Sequence, residues 1–245
     1  LNGRKMYDEV KDALEEMERE EGQMLNCPVM DEMDLFVTAT DLEGRVVPVE
    51  ILGEQVNERE HRHVFHLQKT PGGEGLTSVN HFGPEYNDFI AFAARCTSSF
   101  PVAFEPVQLS NLAKANERWR CFFEAATVHS AGNSTGDFSS RVFADGGYLD
   151  NKPFSHAINA ILSRHTDAPV DRKLIYIEPS PEVLFPLDKE DKDPRIEPPD
   201  AIENAIKAFT LARYETIRQD LQQLKSRNRL IERTNRILKG TEEDI

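Results

Sequence analysis

The residues best suited to chemistry are Asp145 and the two glycines that follow it, Gly146 and Gly147. They come after the short run 141–144, which predicts a strand, and before a helix that Pro153 is expected to open. Two glycines permit positive φ angles and a tight turn, which can leave the preceding carboxylate at the end of the strand. Such a carboxylate can orient a nucleophile or accept its proton. The alternative is that Asp and Gly simply form a good turn.

A literal G-x-S-x-G motif spans residues 132–136 and contains Ser134. A nucleophile elbow needs a buried strand before the serine and a helix after it, so that the hydroxyl is exposed at the end of the sheet. Ser134 lies instead within the polar stretch 127–140, which predicts a loop. The motif lacks its structural context, and we therefore do not assign the nucleophile to Ser134.

Histidines and cysteines give no metal-binding pattern. On a strand, His61 and His63 would share one face while His66 faces the other way, so three ligands would not converge on one ion. The three cysteines are widely spaced and contain no C-x-x-C pair, which favours a reducing compartment. The scattered histidines also give no support for a Ser-His-Asp triad.

The elements that must position Asp145 begin with β-branched segments. The run 35–40 predicts a strand, and residues 41–44 are expected to turn it into a second strand at 45–49, forming a hairpin. The alternating segment 63–69 predicts a third strand.

Helices follow these strands along the chain. Apolar spacing predicts helices over 84–98 and 153–164, and the run 173–177 predicts a buried strand in the same sheet as residues 35–39. Strands that alternate with helices favour an α/β fold with a parallel sheet and a hairpin on one side. We expect residues 1–180 to form this domain, 181–200 an acidic, proline-rich linker, and 201–245 a helical extension.

Charge excludes a general nucleic-acid binder. Lys and Arg number 29 against 43 Asp and Glu, a net charge of −14, whereas phosphate contacts need a basic surface. Residues 201–239 differ, because they hold nine basic and four acidic residues. No stretch of 18 apolar residues predicts a membrane-spanning helix. The chain starts at Leu1 and opens into a polar helix, which we interpret as a piece of a longer protein.

Three blocks resemble the patatin-like phospholipase family. They are F-V-T-A-T-D at 36–41 with Gly44-Arg45 after it, A-A-R-C-T-S-S-F-P-V-A-F-E-P-V at 93–107, and A-D-G-G-Y-L-D-N-K-P at 144–153. Their order and approximate spacing agree with the family over residues 1–180. The resemblance implies that this region is the C-terminal portion of a three-layer, patatin-like α/β domain with a parallel sheet core.

The resemblance also implies a Ser-Asp dyad in which Asp145 is the catalytic aspartate, with Gly146 and Gly147 shaping its turn. Phe100 and Phe104 become candidates for the wall of an acyl-chain pocket, although they could equally be ordinary core residues. In the family, the glycine-rich oxyanion loop and the nucleophilic serine precede the block that begins at Leu1. The 245 residues alone are therefore expected to be inactive, and no metal or organic cofactor is implied.

Two functions follow as hypotheses. The first is a serine lipid acyl hydrolase that acts on phospholipids or simpler acyl esters, either cytoplasmic or peripherally attached to a membrane. The second is a non-catalytic scaffold or interaction module, in which Asp145 only caps a turn and the basic C-terminal helix recruits a partner. That helix could bind an anionic membrane surface, remain solvated, or pack against the acidic part of its own chain. The oligomeric state is not predicted.

Overall fold

A computed structural model of the chain describes residues 2–21, 30–72, 77–100, 103–124, 137–164, 170–177, 200 and 218–242. The chain divides into two compact units, Leu1–Pro153 and Phe154–Ile245. The expected linker at 181–200 falls outside the described residues except for Asp200.

In its described residues, the first unit contains two α-helices and five strands. The elements are α1 (Gly3–Glu21), β1 (Met33–Ile51), β2 (Glu54–Thr70), β3 (Val79–Asn80), α2 (Asn87–Thr97), β4 (Val107–Gln108) and β5 (Val142–Asp145). The predicted helix at 84–98 is confirmed, as a 3-10 turn that leads into α2. The predicted strand at 141–144 is confirmed as β5.

The second unit contains α3 (Phe154–Ser163) and α4 (Arg218–Glu242) among its described residues. Helix α3 confirms the helix predicted at 153–164, and α4 lies within residues 201–245. The two helices contact each other.

The sheet has the strand order β3-β2-β1-β5-β4, and all of its pairings are antiparallel. The fold is thus of mixed α/β content, as predicted, but the prediction of a parallel core is wrong. A two-residue turn joins β1 to β2, and such a short connection can join only antiparallel strands. On its other edge β1 pairs with β5, which also runs antiparallel to it.

The hairpin turn lies further along the chain than the sequence predicts. Leu52 and Gly53 form it with φ angles of 54° and 86°, the double left-handed geometry of a tight hairpin turn. Residues 41–44, predicted to be the turn, form a bulge inside β1, because the register jumps from Thr40 opposite Arg62 to Arg45 opposite Glu60. Gly44 has a φ of 67° in this bulge.

The segment 173–177 is not a strand, which contradicts its predicted place beside residues 35–39. Ile175 and Ile177 are 80% and 82% exposed. Its β-branched composition satisfies a strand's local preference, but a strand also needs a neighbour for its backbone groups, and no described strand pairs with it.

The core of the first unit is an aromatic cluster between the sheet and α2. Phe65 on β2 lies 5.4 Å from Phe89 and 5.3 Å from Phe143 between ring centroids, in edge-to-face contacts. Phe92 and Phe123 complete the cluster, and all five rings are buried. Phe143 lies two residues before Asp145, so this core directly supports the candidate site.

Candidate functional site

Asp145 is the last residue of β5 and begins the 3-10 turn Gly146–Tyr148. Its side chain caps that turn, because Oδ1 accepts a hydrogen bond of 2.8 Å from the backbone N–H of Gly147. The residue is only 8% exposed. The carboxylate is therefore held in one orientation at the end of a buried strand.

The second carboxylate oxygen of Asp145 is available. Oδ2 accepts no hydrogen bond from the described residues. Burial, reinforced by the nearby Asp145 carboxylate, raises the pKa of Tyr148.

Two threonines of β1 fix the turn from the neighbouring strand. Thr40 Oγ1 donates a 2.9 Å hydrogen bond to the backbone carbonyl of Asp145, and Thr38 Oγ1 donates one of 3.4 Å to that of Asp150. Both threonines are buried, and Ala39 between them lies opposite Asp145 in the strand register. These hydrogen bonds thus connect β1 to the backbone at the start and at the end of the turn that follows β5.

Gly146 and Gly147 shape the turn through close approach. Neither has a positive φ, although the sequence suggested that such angles would be their role. A Cβ on Gly146 would collide with the carbonyl and hydroxyl oxygens of Thr38. A Cβ on Gly147 would lie 3.1 Å from Asp145 Oδ1. The glycines let β1 and the carboxylate pack directly against the turn backbone.

A buried ion pair, which the sequence analysis missed, supports the same strand. Asp41 is 1% exposed and pairs with Arg141, the residue just before β5. Arg141 also donates a 2.8 Å hydrogen bond from Nη1 to the carbonyl of Phe123. The sequence signal for this pair was Asp41 at the end of the apolar run 35–40, together with Arg141 at the start of the run 141–144.

The two candidate pocket residues occupy different environments. The Phe104 ring lies under the guanidinium of Arg95, 4.7 Å from its Cζ. That guanidinium donates hydrogen bonds to Ser99 Oγ at 2.6 Å and to the carbonyl of Glu105 at 3.0 Å. Phe100 is 42% exposed. Phe104 therefore covers a buried cation, and the role of both residues in an acyl pocket stays a prediction.

The structure brings the three blocks singled out in the sequence into one region. The first block forms the part of β1 that pairs with β5, and the third contains the end of β5 with its turn. The second block runs along α2 and ends at Val107, which pairs with Phe143 of β5. Strand β5 thus lies between the other two blocks.

Ser134 lies outside the described residues, and His61, His63 and His66 do not converge on one point. His61 Nδ1 lies 2.8 Å from the carbonyl of Asp41, and His66 Nε2 lies 2.9 Å from Asp34 Oδ1. His63 is buried, with Nε2 2.8 Å from the carbonyl of Phe122. No group of three metal-ligating side chains occurs in the part of the chain that the structure describes.

Part of the chain is similar to a known protein. An uncharacterized membrane protein of Mycobacterium tuberculosis is 27% identical over 144 residues, which cover 58% of this chain and 13% of that protein. The chain thus spans only a small part of that relative. No family model matches the chain. No solved structure matches it either. Among the described residues, none of the helices has the length and apolar character needed to cross a bilayer.

Proposed function

We propose that this chain supplies the aspartate of a Ser-Asp dyad in a patatin-like serine lipid acyl hydrolase. The observation that carries the proposal is the Asp145 carboxylate, in which Oδ1 is anchored by the Gly147 N–H and Oδ2 accepts no hydrogen bond from the described residues. A base needs both a fixed orientation and a free oxygen, and this arrangement supplies them in one side chain.

In the proposed reaction, a serine upstream of Leu1 attacks the acyl carbonyl. Asp145 accepts the serine proton as the bond forms, and returns it to the departing alkoxide when the acyl-enzyme is produced. Water then attacks the acyl-enzyme, again giving a proton to Asp145, which returns it to the serine oxygen as the fatty acid leaves. A glycine-rich loop upstream of Leu1 would stabilise the oxyanion.

The surroundings of Asp145 support this role. The hydrogen bonds from Thr40 and from the Gly147 N–H restrain the strand end and the side chain, so little motion has to be frozen when the serine approaches. The Asp41–Arg141 ion pair stabilises the first residues of β5, at the end opposite Asp145.

The proposed substrates are fatty-acyl esters of phospholipids or simpler lipids, with no metal or organic cofactor. Such substrates reside in membranes or aggregates, so the proposal places the protein in the cytoplasm or peripherally at a membrane surface. Phe100, which is exposed, is the better placed of the two aromatic candidates for meeting an acyl chain.

The test is Asp145→Asn in the protein that includes the residues upstream of Leu1. Asparagine still offers an oxygen to the Gly147 N–H and is as good a cap as aspartate, so the fold should persist. Loss of the base should lower kcat by about 10²- to 10⁴-fold with little change in Tm. The assay is hydrolysis of a p-nitrophenyl ester and of a phospholipid.

Asp150→Asn is the matched control, because it removes an equal charge five residues along the same turn region. Equal losses of kcat in the two variants, or unfolding of Asp145→Asn, would show that Asp145 is a structural turn residue. The 245-residue chain alone is expected to be inactive. Turnover by that chain that disappears in Ser134→Ala would instead identify Ser134 as the nucleophile.

A second candidate function rests on the same hydrogen bond. Because Oδ1 of Asp145 already caps the turn, the residue could be purely structural and the chain a scaffold or interaction module. In that case, the complete protein would lack esterase activity.

A further inference from the structure

Helix α4 has exposed apolar side chains on two faces among its described residues. It runs for 25 residues, with Leu221 and Ile231 exposed on one face and Leu230 and Ile237 exposed on another. Ile231 is 56% exposed, whereas Leu224 nearer the start is half-buried. An exposed apolar row on a long helix needs a partner surface.

The sequence of α4 follows a seven-residue repeat. Three positions spaced by seven are Leu221, Asn228 and Asn235, and each is followed three residues later by an apolar residue, at 224, 231 and 238. The alternating spacing of three and four is that of the a and d positions of a coiled coil. Both asparagines are exposed in the single chain.

Asparagine at the a position has a specific consequence. In two-stranded parallel coiled coils, an asparagine can hydrogen-bond to the same residue of the second helix, which selects the register and the two-stranded state at some cost in stability. If this face is buried against a second helix, Asn228 and Asn235 can each pair with the same residue of that helix only when the two helices lie parallel and in register. That condition is met most simply by two copies of one chain.

Charges beside the apolar row agree with this arrangement. The g positions hold Asp220 and Arg227, and the e positions five residues later hold Lys225 and Glu232. In a parallel coiled coil, each g residue faces the e residue of the next heptad on the other helix. Asp220 would face Lys225 of the second copy, and Arg227 would face Glu232, so both pairs are of opposite charge.

We infer that α4 is a dimerisation helix, which forms a parallel two-stranded coiled coil with α4 of a second copy of this chain. The inference rests on the exposed repeat, its paired asparagines and its complementary flanks. It does not depend on the proposed hydrolase activity.

A membrane surface fits the helix less well. Asn228 and Asn235 interrupt the apolar row, and Arg227 lies at its edge, where a membrane-embedded face should be apolar. Arg229, Arg233 and Arg236 take the b and f positions, which face away from the seam of a coiled coil and into solvent.

Ile231→Glu in the full 245-residue chain tests the seam. Placing two glutamates in the centre of the interface should weaken self-association by at least a hundredfold, measured by sedimentation equilibrium across a range of protein concentrations. Leu230→Glu is the matched control, since the neighbouring residue makes the same change at the off-seam c position. The control should self-associate as the parent does.

Charge reversal tests the parallel orientation. Arg227→Glu puts like charges opposite each other twice in the dimer, and should weaken it roughly tenfold at low salt. Adding Glu232→Arg in the same chain should restore the affinity, because the exchanged pair is again complementary between g and e positions.

Several results would overturn the inference. A parent chain that stays monomeric at all concentrations would do so, as would equal effects of Ile231→Glu and Leu230→Glu. Failure of Glu232→Arg to rescue Arg227→Glu would exclude the parallel arrangement. A monomer that binds phosphatidylserine vesicles, and loses that binding in Ile231→Glu, would assign the same face to a membrane. Circular dichroism of each variant checks that α4 remains helical.

Discussion

The two halves of the β1–β2 hairpin share one pair of strands but differ in burial. The inner half pairs Met33–Thr40 with residues 62–69. Its β2 strand alternates buried and partly buried side chains from His63 to Gln68, and its β1 strand buries Thr38, Ala39 and Thr40 in succession. The outer half pairs Arg45–Ile51 with residues 54–60, and almost every side chain there is exposed or partly exposed. The hydrogen-bonded ladder continues through both halves, so ladder formation alone does not create a core.

The difference comes from what covers each half. The inner half contacts α2 on one face and receives β5 on its edge, which buries Phe65, Leu67 and Ala39. In the outer half, β1 and β2 pair only with each other among the described strands. The candidate site is attached to the half whose side chains are fixed by packing, where Thr38 and Thr40 hold the Asp145 turn.

The bulge at residues 41–44 marks the boundary between the halves. Asp41 lies on its inner side and forms the buried pair with Arg141, whereas Arg45 on its outer side pairs with Glu60 at 2.7 Å in a partly exposed setting. The same type of ion pair thus occurs in two environments within five residues, which gives a direct test of the comparison.

Removing one partner of each pair should have very different effects. Arg141→Met leaves the Asp41 carboxylate buried without its cation, which should cost about 3–5 kcal/mol of unfolding free energy. Arg45→Met leaves Glu60 in contact with water and should cost about 0–1 kcal/mol. Urea unfolding at pH 7 measures both. Equal losses of unfolding free energy in the two variants would mean that the two halves of the hairpin are equally rigid and that burial does not distinguish them.

The inner half should also impose a dependence on pH through His63. Burial, reinforced by the charge of Arg141, lowers the pKa of His63 to about 4. An unfolded chain takes up this proton near its usual pKa of about 6.5, so stability should be intact above that pH. It should fall by about 3 kcal/mol as the pH drops from about 6.5 to 4.

His63→Gln removes the titrating ring but keeps a side-chain amide that can donate to the Phe122 carbonyl. The variant should therefore lose this part of the acid sensitivity, whatever its stability at pH 8. Unfolding free energies measured at half-unit steps of pH would show it. An unchanged slope in His63→Gln would contradict the assignment.

Two glycines, Gly146 packed against the inner half and Gly53 in the outer turn, provide a third contrast. Gly146→Ala places a methyl group against the Thr38 backbone, which cannot move without disturbing β1, and should cost about 1–3 kcal/mol. Gly53→Ala, in the outer turn, meets no atom within 4 Å and should cost only about 1 kcal/mol, because its φ of 86° is unfavourable for alanine. Thermal unfolding of the two variants compares them. A larger loss at Gly53 would reverse the expected order.

Local patterns predicted the elements better than the way in which they pair. Helical spacing located α2 and α3, and the alternation at 63–69 located the buried half of β2. The hairpin turn was misplaced because Gly44 resembles a turn glycine, while the true turn at Leu52–Gly53 lacks the Asn or Asp typical of that geometry. Whether two paired strands run parallel or antiparallel depends on contacts between distant parts of the chain. The parallel sheet was therefore expected from the fold class and not from the residues themselves.

At the candidate site, sequence located the turn but not its support. The motif at Asp145 predicted a carboxylate at a strand end, and the structure places it there. The contacts with Thr38 and Thr40 span more than 100 residues, and the Asp41–Arg141 pair spans 100. No local spacing rule connects such positions, which explains why these residues were missed.

The smallest expected effect concerns a valine in each half of the hairpin. Val56 in the outer half lies opposite Val49 and is 47% exposed, so Val56→Thr keeps a β-branched side chain with its hydroxyl in water. The unfolding free energy should change by less than about 0.5 kcal/mol. Val37 in the inner half packs against the core, and Val37→Thr brings a hydroxyl toward that surface, at a cost of about 1–2 kcal/mol. Urea unfolding of both variants under one condition resolves the difference. A loss at Val56 as large as that at Val37 would show that the outer half has a packing partner in solution.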